Sequence, residues 1–286
     1  MFKKIAILLE MIKFKLTIFA MPFAFMGAFL GARGIPDFKT FILVILAMVG
    51  ARTCAMGFNR IVDAKFDGAN PRTAERAIPA GAVSAIEAWS MVLIAGALFF
   101  LAAWLLNPFT LTLAPFALGL TLFYSLTKRF TSFCHLILGV ALAFSPLGGW
   151  VAVQGSWGGY PWALSAGVLF WVAGFDTVYA CLDADFDKKS GLYSLPSRLG
   201  AKNAFRLAAV FHVIAFLFFV LTGMQADLNL FYFAGVILAA AALFYQHRIV
   251  DPDDLSKIQL SFFSMNGFIS LALFVATCVS LLTSAI

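Results

Sequence analysis

Long apolar runs separated by short polar segments dominate the chain. The runs fall at about 16–32, 40–58, 84–106, 109–127, 133–153, 162–182, 204–224, 229–246 and 262–284, each bounded by Pro, Gly or charge. Roughly 17–25 residues is the length of a helix that crosses a ~30 Å hydrocarbon core. Inside lipid each backbone polar group has to be satisfied within its own helix. The pattern therefore predicts an all-α fold: a polytopic membrane helical bundle of about nine transmembrane helices. A β-barrel would show alternating segments of about ten residues, a pattern the sequence does not carry. The chain reads as one membrane domain over 1–286, and an odd number of spans puts its termini on opposite sides, with Ile286 outside.

Composition strengthens this reading. Of 286 residues, 62% are hydrophobic and only 12% charged, with 33 Phe and a mean hydropathy of +0.95. A soluble domain is nearer half apolar and a quarter charged, so the excess faces lipid. The few charges are unevenly placed. Apart from Arg33, Lys39 and Arg52, the Lys and Arg residues lie before the first run or beside the segments that follow runs two, four, six and eight. By the positive-inside rule the N-terminus is cytoplasmic, in a cell inner (plasma) membrane. The two long polar segments, 59–82 and 183–203, then face the cytoplasm, and the outer connections near Asn107-Pro108 and Gln154–Tyr160 are short and uncharged. The net charge of +6 thus reports orientation, and no nucleic-acid partner is expected. Lys3 and Lys4 precede no small-residue cleavage site, so the start reads as a mature amphipathic lead-in, with Lys13 and Lys15 as interface anchors. Cys54, Cys134, Cys181 and Cys278 lack metal-type spacing and read as small core residues.

The candidate chemistry sits at the cytoplasmic ends of the second and sixth runs. In "FNRIVDAKFDGANPRTAERAIPAG" (58–81), Asn59, Asp63 and Asp67 recur every four residues. On a helix such residues form one stripe, rising ~6 Å per step. The chain repeats the device 120 residues later: "DTVYACLDADFDKKSGLYSLPSRLG" sets Asp176, Tyr179, Asp183 and Asp187 on a second stripe. The recurrence hints at two related halves, roughly 1–130 and 131–286. Carboxylates four apart repel, and a divalent cation removes that penalty. Carboxylate oxygens with open water positions suit Mg²⁺, which binds one or two protein carboxylates plus substrate phosphates. The intermixed Arg60, Arg72, Arg76, Lys128 and Arg129 suit an anionic, phosphate-bearing partner. A diphosphate head at the water boundary with a hydrocarbon tail in the bilayer fits both features, and an isoprenyl diphosphate is the obvious candidate.

The motifs N-R-x-x-D-x-x-x-D-x-x-N-x-R-T-x-x-R at 59–76 and D-x-x-Y-x-x-x-D-x-x-x-D at 176–187 resemble the two signatures of the UbiA-type intramembrane aromatic prenyltransferases. "YSLTKR" at 124–129 is similar to that family's Y-x-x-x-K-R element, without the Pro often found after the Tyr. The resemblance covers essentially the whole chain. It implies a helical bundle around a central cavity, capped by two cytoplasmic loops. Asn59, Asp63, Asp67, Asp183 and Asp187 would hold Mg²⁺, with Arg60, Arg72, Arg76, Lys128 and Arg129 on the diphosphate. Tyr124, Tyr179 and Asp176 would stand near the developing allylic cation. The implied activity is transfer of a polyprenyl group from polyprenyl diphosphate to an aromatic ring.

The lead-in "IKFKLTIFAMPFAFMGAFLG" and the ending "GLYSLPSRLG" look most like members acting on an aromatic carboxylic acid. That acceptor is 4-hydroxybenzoate on the way to ubiquinone, or a dihydroxynaphthoate on the way to menaquinone. Some relatives of the second kind carry His near Leu16, which this chain lacks, and haem farnesyltransferases commonly carry Met in place of Asn70. An acceptor carboxylate needs a cation. Arg52 lies seven residues before Asn59, on nearly the same helical face and inside the membrane, where an Arg normally faces a cavity or a partner. His135 reads as a structural polar residue, and His212 and His247 have no metal spacing. The rival classes are a transporter or channel, which would place acids near mid-span, and a noncatalytic lipid-binding scaffold, which needs no second acidic stripe.

Overall fold

The computed structural model describes residues 2–13, 17–258 and 264–284; Lys15, Leu16 and Ile286 lie outside them. Those residues form helices α1 (Phe2–Met11), α2 (Thr17–Ala32), α3 (Phe38–Val62), α4 (Ala64–Ala69), α5 (Ala85–Leu106), α6 (Pro108–Thr127) and α7 (Cys134–Gln154). They continue through α8 (Trp162–Ala180), α9 (Ala184–Lys189), α10 (Leu195–Leu199), α11 (Ala201–Gln225), α12 (Leu230–Ile249) and α13 (Asn266–Ser284), with no strand among the described residues. Among the described residues, eight helices are long and apolar enough to cross a membrane by length and composition. They are α3, α5, α6, α7, α8 with its extension to Lys189, α11, α12 and α13. The first predicted run corresponds to α2, whose apolar part, Met21–Ala32, is shorter than the others. The protein is a multi-pass membrane protein.

Capping chemistry fixes several helix boundaries. Ser84 accepts from the Glu87 amide while the Glu87 carboxylate returns a bond to Ser84, a capping box that starts α5. Asn107 ends α5 and caps α6, where Pro108 takes the first position and needs no donor. Its amide also donates to the Val151 and Ala152 carbonyls, tying the α5–α6 corner to the end of α7.

Small residues let the spans approach closely, as helix packing in lipid requires. A Cβ on Gly27 would fall 1.8 Å from the Pro146 carbonyl oxygen, and one on Gly149 1.9 Å from that of Ala24, so α2 and α7 touch backbone to backbone. Gly139 meets the Leu169 carbonyl between α7 and α8, and Gly50 meets Ala95 between α3 and α5. Phe23, Trp171, Phe175, Phe219 and Tyr232 build the largest apolar cluster, while Leu93, Trp104, Phe116, Leu217 and Phe244 stand exposed for lipid. Between the helices lies a cavity of about 550 Å³.

Candidate active site

Both acidic stripes are built in the same way. At its C-terminal end α3 stops at Val62, Asp63 takes φ −92°, ψ 0°, and the chain resumes as α4. α8 likewise passes through a 3₁₀ turn, Cys181–Asp183, and Asp183 takes φ −112°, ψ 4° before α9. The first acid of each pair therefore sits in the sparsely populated bridge region common at active sites. The second acid of each pair, Asp67 or Asp187, is the buried residue of a short helix whose other residues are exposed or half-buried. Along the first stripe Asn59 donates to Asp63 at 2.8 Å, as the spacing of four predicts.

The stripes meet through bonds between sequence-distant residues. Arg72 donates to Asp183 in bidentate fashion, its Nε at 2.8 Å from Oδ1. Asn70 donates to the same Oδ1 at 2.9 Å and accepts from the Arg72 amide. Arg76 pairs with Asp67 at 2.6 Å, and Arg60 approaches the other Asp67 oxygen at 3.8 Å. Lys128 pairs with Asp187 at 2.8 Å, and Arg129 lies 3.4 Å from Asp63 while donating to the Val62 carbonyl. Each acid of the two D-x-x-x-D pairs thus carries a cation of the protein's own. Burial, then the neighbouring Asp67 carboxylate, raises the Asp63 pKa above the usual carboxylate value. Burial works against the charges on Arg72 and Lys128, but Asp183 and Asp187 more than offset it, so both cations are held above their ordinary values.

The cavity receives all the candidate site residues named from the sequence. Asn59, Arg60, Asp63, Asp67, Arg72, Arg76, Lys128, Arg129, Asp183 and Asp187 ring its mouth; Tyr124, Tyr179 and Asp176 line it below, and Arg52 lies deeper still. Arg72 also stands 5.7 Å over the Tyr179 ring. The Nε of Arg52 is buried without a hydrogen-bond partner, and no carboxylate among the described residues pairs with it. The lining away from the motifs is largely apolar, including Val44, Met48, Phe99, Leu142, Phe144 and Trp171, with Thr110, Thr121, Ser145 and Asn266 as its neutral polar members.

Two contributors are absent from the sequence-derived set. Asn70 is inside the first motif, but its hold on Asp183 crosses 113 positions. His135 is buried at 1% exposure and bonds Asp176 at 2.7 Å. A polar residue at the start of an apolar run is the sequence signal for it. The remaining histidines, His212 and His247, bond one another at 2.8 Å between α11 and α12. Among the described residues no three His, Cys, Asp or Glu converge closely enough to enclose a metal ion unaided.

The sequence profile of the UbiA prenyltransferase family matches residues 20–277. The 4-hydroxybenzoate octaprenyltransferase of Shewanella woodyi is 31% identical over 251 residues, 88% of this chain and 87% of that protein. The apo structure of a UbiA homolog from Aeropyrum pernix aligns with a TM-score of 0.82 at 34% identity, over 95% of this chain and 98% of that one. A UbiA homolog from Archaeoglobus fulgidus bound to GPP and Mg²⁺ shares the fold, with a TM-score of 0.65 at 19% identity over 95% and 99% of the two chains.

Proposed function

The chain belongs to the UbiA prenyltransferase family, and on that premise we propose that it transfers a polyprenyl group from polyprenyl diphosphate to an aromatic carboxylic acid of the 4-hydroxybenzoate kind, with Mg²⁺, in quinone biosynthesis. The observation that carries this reading is the stacking of three chemistries in one cavity. Acids with their cations ring the mouth, tyrosines line the middle, and Arg52, with no carboxylate partner among the described residues, stands deeper in largely apolar surroundings. The Archaeoglobus homolog's bound GPP and Mg²⁺ support the donor and the metal. The name borne by the Shewanella relative supports the acceptor.

The residues present fit Mg²⁺. Asn59, Asp63, Asp67, Asp183 and Asp187 offer hard oxygens, and Asp67 Oδ2 is buried without a hydrogen bond, with Arg60 no nearer than 3.8 Å. That no protein cluster encloses an ion alone agrees with Mg²⁺ completing its shell with substrate phosphates and water. Bound there, Mg²⁺ would neutralise the negative charge that the leaving diphosphate gains.

The rest of the mechanism follows from the chain's own side chains. Arg60, Arg72, Arg76, Lys128 and Arg129 are placed to take phosphate oxygens, most strongly as C–O cleavage moves charge onto them. Tyr124 and Tyr179 present electron-rich faces toward the allylic cation. The lipid-embedded walls exclude the water that would otherwise quench it. Arg52 holds the acceptor carboxylate and directs the ring toward the mouth. The site faces the cytoplasm of the plasma membrane, with a cytoplasmic N-terminus.

The test is turnover of radiolabelled polyprenyl diphosphate by the purified protein, with Mg²⁺ and a panel of acceptors. The panel holds 4-hydroxybenzoate, dihydroxynaphthoates and their decarboxylated analogues. Labelled product with an acid and little with its analogue is expected, and the acid that gives it names the acceptor. Absence of product with every acid overturns the reading.

A further inference from the structure

We propose that Asp176, oriented by His135, is the base that removes the ring proton of the aromatic acceptor; this rests on the prenyl-transfer reading above. Asp176 differs from every other acid of the cavity. Asp63, Asp67, Asp183 and Asp187 each pair with an Arg or Lys. Asp176, among the described residues, pairs with an imidazole instead. The state of that imidazole follows from its second contact. His135 Nε2 accepts a hydrogen bond from the Leu195 amide at 3.3 Å, so the ring proton is on Nδ1. Nδ1–H then donates to Asp176 Oδ2 at 2.7 Å. A neutral donor orients the carboxylate without neutralising it, and the other oxygen, Oδ1, takes no part in that bond.

Depth points the same way. Asp176 precedes Asp183 by seven residues on a continuous helical path, so it lies ~10 Å below the metal-binding level. Arg52 precedes Asp63 by eleven residues on α3, which runs in the same sense, and lies ~16 Å below it. Asp176 is therefore level with the space between a diphosphate at the mouth and a carboxylate on Arg52, where the aromatic ring has to sit. Tyr124 from α6, Tyr179 one turn above Asp176 on α8 and Cys134 beside His135 on α7 line the same cavity, and Arg60 lines it from α3 nearer the mouth.

The step balances as follows. The C–O bond of the prenyl diphosphate breaks and its electron pair leaves with the diphosphate. A ring π pair ortho to the hydroxyl forms the new C–C bond. The hydrogen on that ring carbon leaves as a proton to Asp176, and its bonding pair restores the aromatic ring. Asp176 then passes the proton toward the mouth, to the departing diphosphate or to water. Asp176 is the catalytic residue here, and His135 is a positioning residue that also ties the α9–α10 segment to the cavity through Leu195.

Ring deuteration separates this role from a structural one. Wild type, D176N, H135F and H135N are purified and assayed with an acceptor carrying hydrogen or deuterium ortho to its hydroxyl. Wild type should give product with little isotope effect. D176N should be slowed ~100-fold or more, the scale of a general base, and should show a primary isotope effect because proton removal has become limiting. H135F should shift in the same direction, and H135N should recover part of the loss, since its amide N–H can replace Nδ1–H. Pyrophosphate binding to D176N should match wild type, and its melting temperature reports folding. If D176N fails to fold, the H135F and H135N pair decides by the same isotope readout. A slow D176N or H135F without an isotope effect, or a D176N at wild-type rate, overturns the proposal while leaving the transferase reading intact. No product from wild type overturns both.

Discussion

Arg52 and Asp63 show how differently a charge can be held in one cavity. Asp63 has Asn59 and Arg129 beside it, yet burial and Asp67 keep its pKa raised. Replacing Asp63 or Asp183 by Ala should cut turnover by ~100-fold or more, the scale seen when one preorganised charge-stabilising group is lost. Helicity and size-exclusion behaviour should stay those of wild type, and full turnover in either variant would remove both acids from the mechanism. Arg52 has no carboxylate partner among the described residues, and leaving it so in lipid is costly. The R52A variant should raise the acceptor KM about 10–100-fold, the worth of a charge-assisted hydrogen bond of ~1.5–3 kcal/mol. The prenyl diphosphate KM should barely move, and preference for the acid over its decarboxylated analogue should narrow. Equal effects on both substrates would mark a structural Arg. At this scale the sequence displays the acids, because i, i+4 spacing is a local property. It conceals their partners: the Asn70–Asp183 and His135–Asp176 bonds span 113 and 41 positions, and only folding brings them together.

Helices and their breaks set where these side chains go. Hydropathy predicts α3 and α8 as continuous spans, and the interruptions at Asp63 and Asp183 are invisible to it because they are changes of backbone dihedral, not of polarity. The same measure reads α2 as one more crossing. In the structure α2 is a 16-residue helix with Phe23, Met26 and Ala28 almost fully buried. Apolar content alone does not say whether protein or lipid covers a residue. The α2–α7 contact instead depends on Gly27 and Gly149, where no Cβ fits beside the Pro146 and Ala24 carbonyls. Gly149→Val should therefore push the two helices apart. Overpacking of this kind costs about 1–3 kcal/mol, and because α2 and α7 both line the cavity, the variant should lose activity as well as melting temperature in detergent. Gly148 faces open space, with nothing within 4 Å of an added Cβ. G148A should melt at or slightly above wild type, since Ala favours a helix over Gly, and equal losses in both variants would show that the effect of Gly149→Val does not come from the α2–α7 contact.

Across the whole molecule most of the charge is gathered at one end, with Arg33, Asp37, Lys39 and Asp227 at the other. Lys4 with Glu87, Arg60 with the Met11 carbonyl, Lys128 with Asp187 and Lys202 with Asp253 all join elements at the end where the two motifs emerge. That gathering was legible in the sequence as a loop asymmetry, and it carries the proposed cytoplasmic orientation. Ser190→Cys should accordingly resist an impermeant thiol reagent on intact cells and react after permeabilisation; labelling of intact cells would invert the topology. The ion pairs at this end also couple the two ligands proposed for it. Arg72 occupies Asp183, Arg76 occupies Asp67 and Lys128 occupies Asp187. Mg²⁺ arriving alone would have to displace these cations and then sit beside them. Diphosphate arriving alone would draw the cations away and leave the carboxylates facing one another and the new anion. Arriving together, each ligand takes the partner the other has freed, so the exchange keeps every charge paired. Binding of pyrophosphate, followed by calorimetry without any turnover, should tighten at least ~10-fold when Mg²⁺ is present, a coupling of ~1.4 kcal/mol. Linkage requires Mg²⁺ to gain the same factor from pyrophosphate. R72Q frees Asp183 from its guanidinium, so Mg²⁺ alone should bind that variant more tightly than wild type while the gain from pyrophosphate shrinks. Independent binding of the two ligands to the wild-type protein would show that these ion pairs do not gate the site.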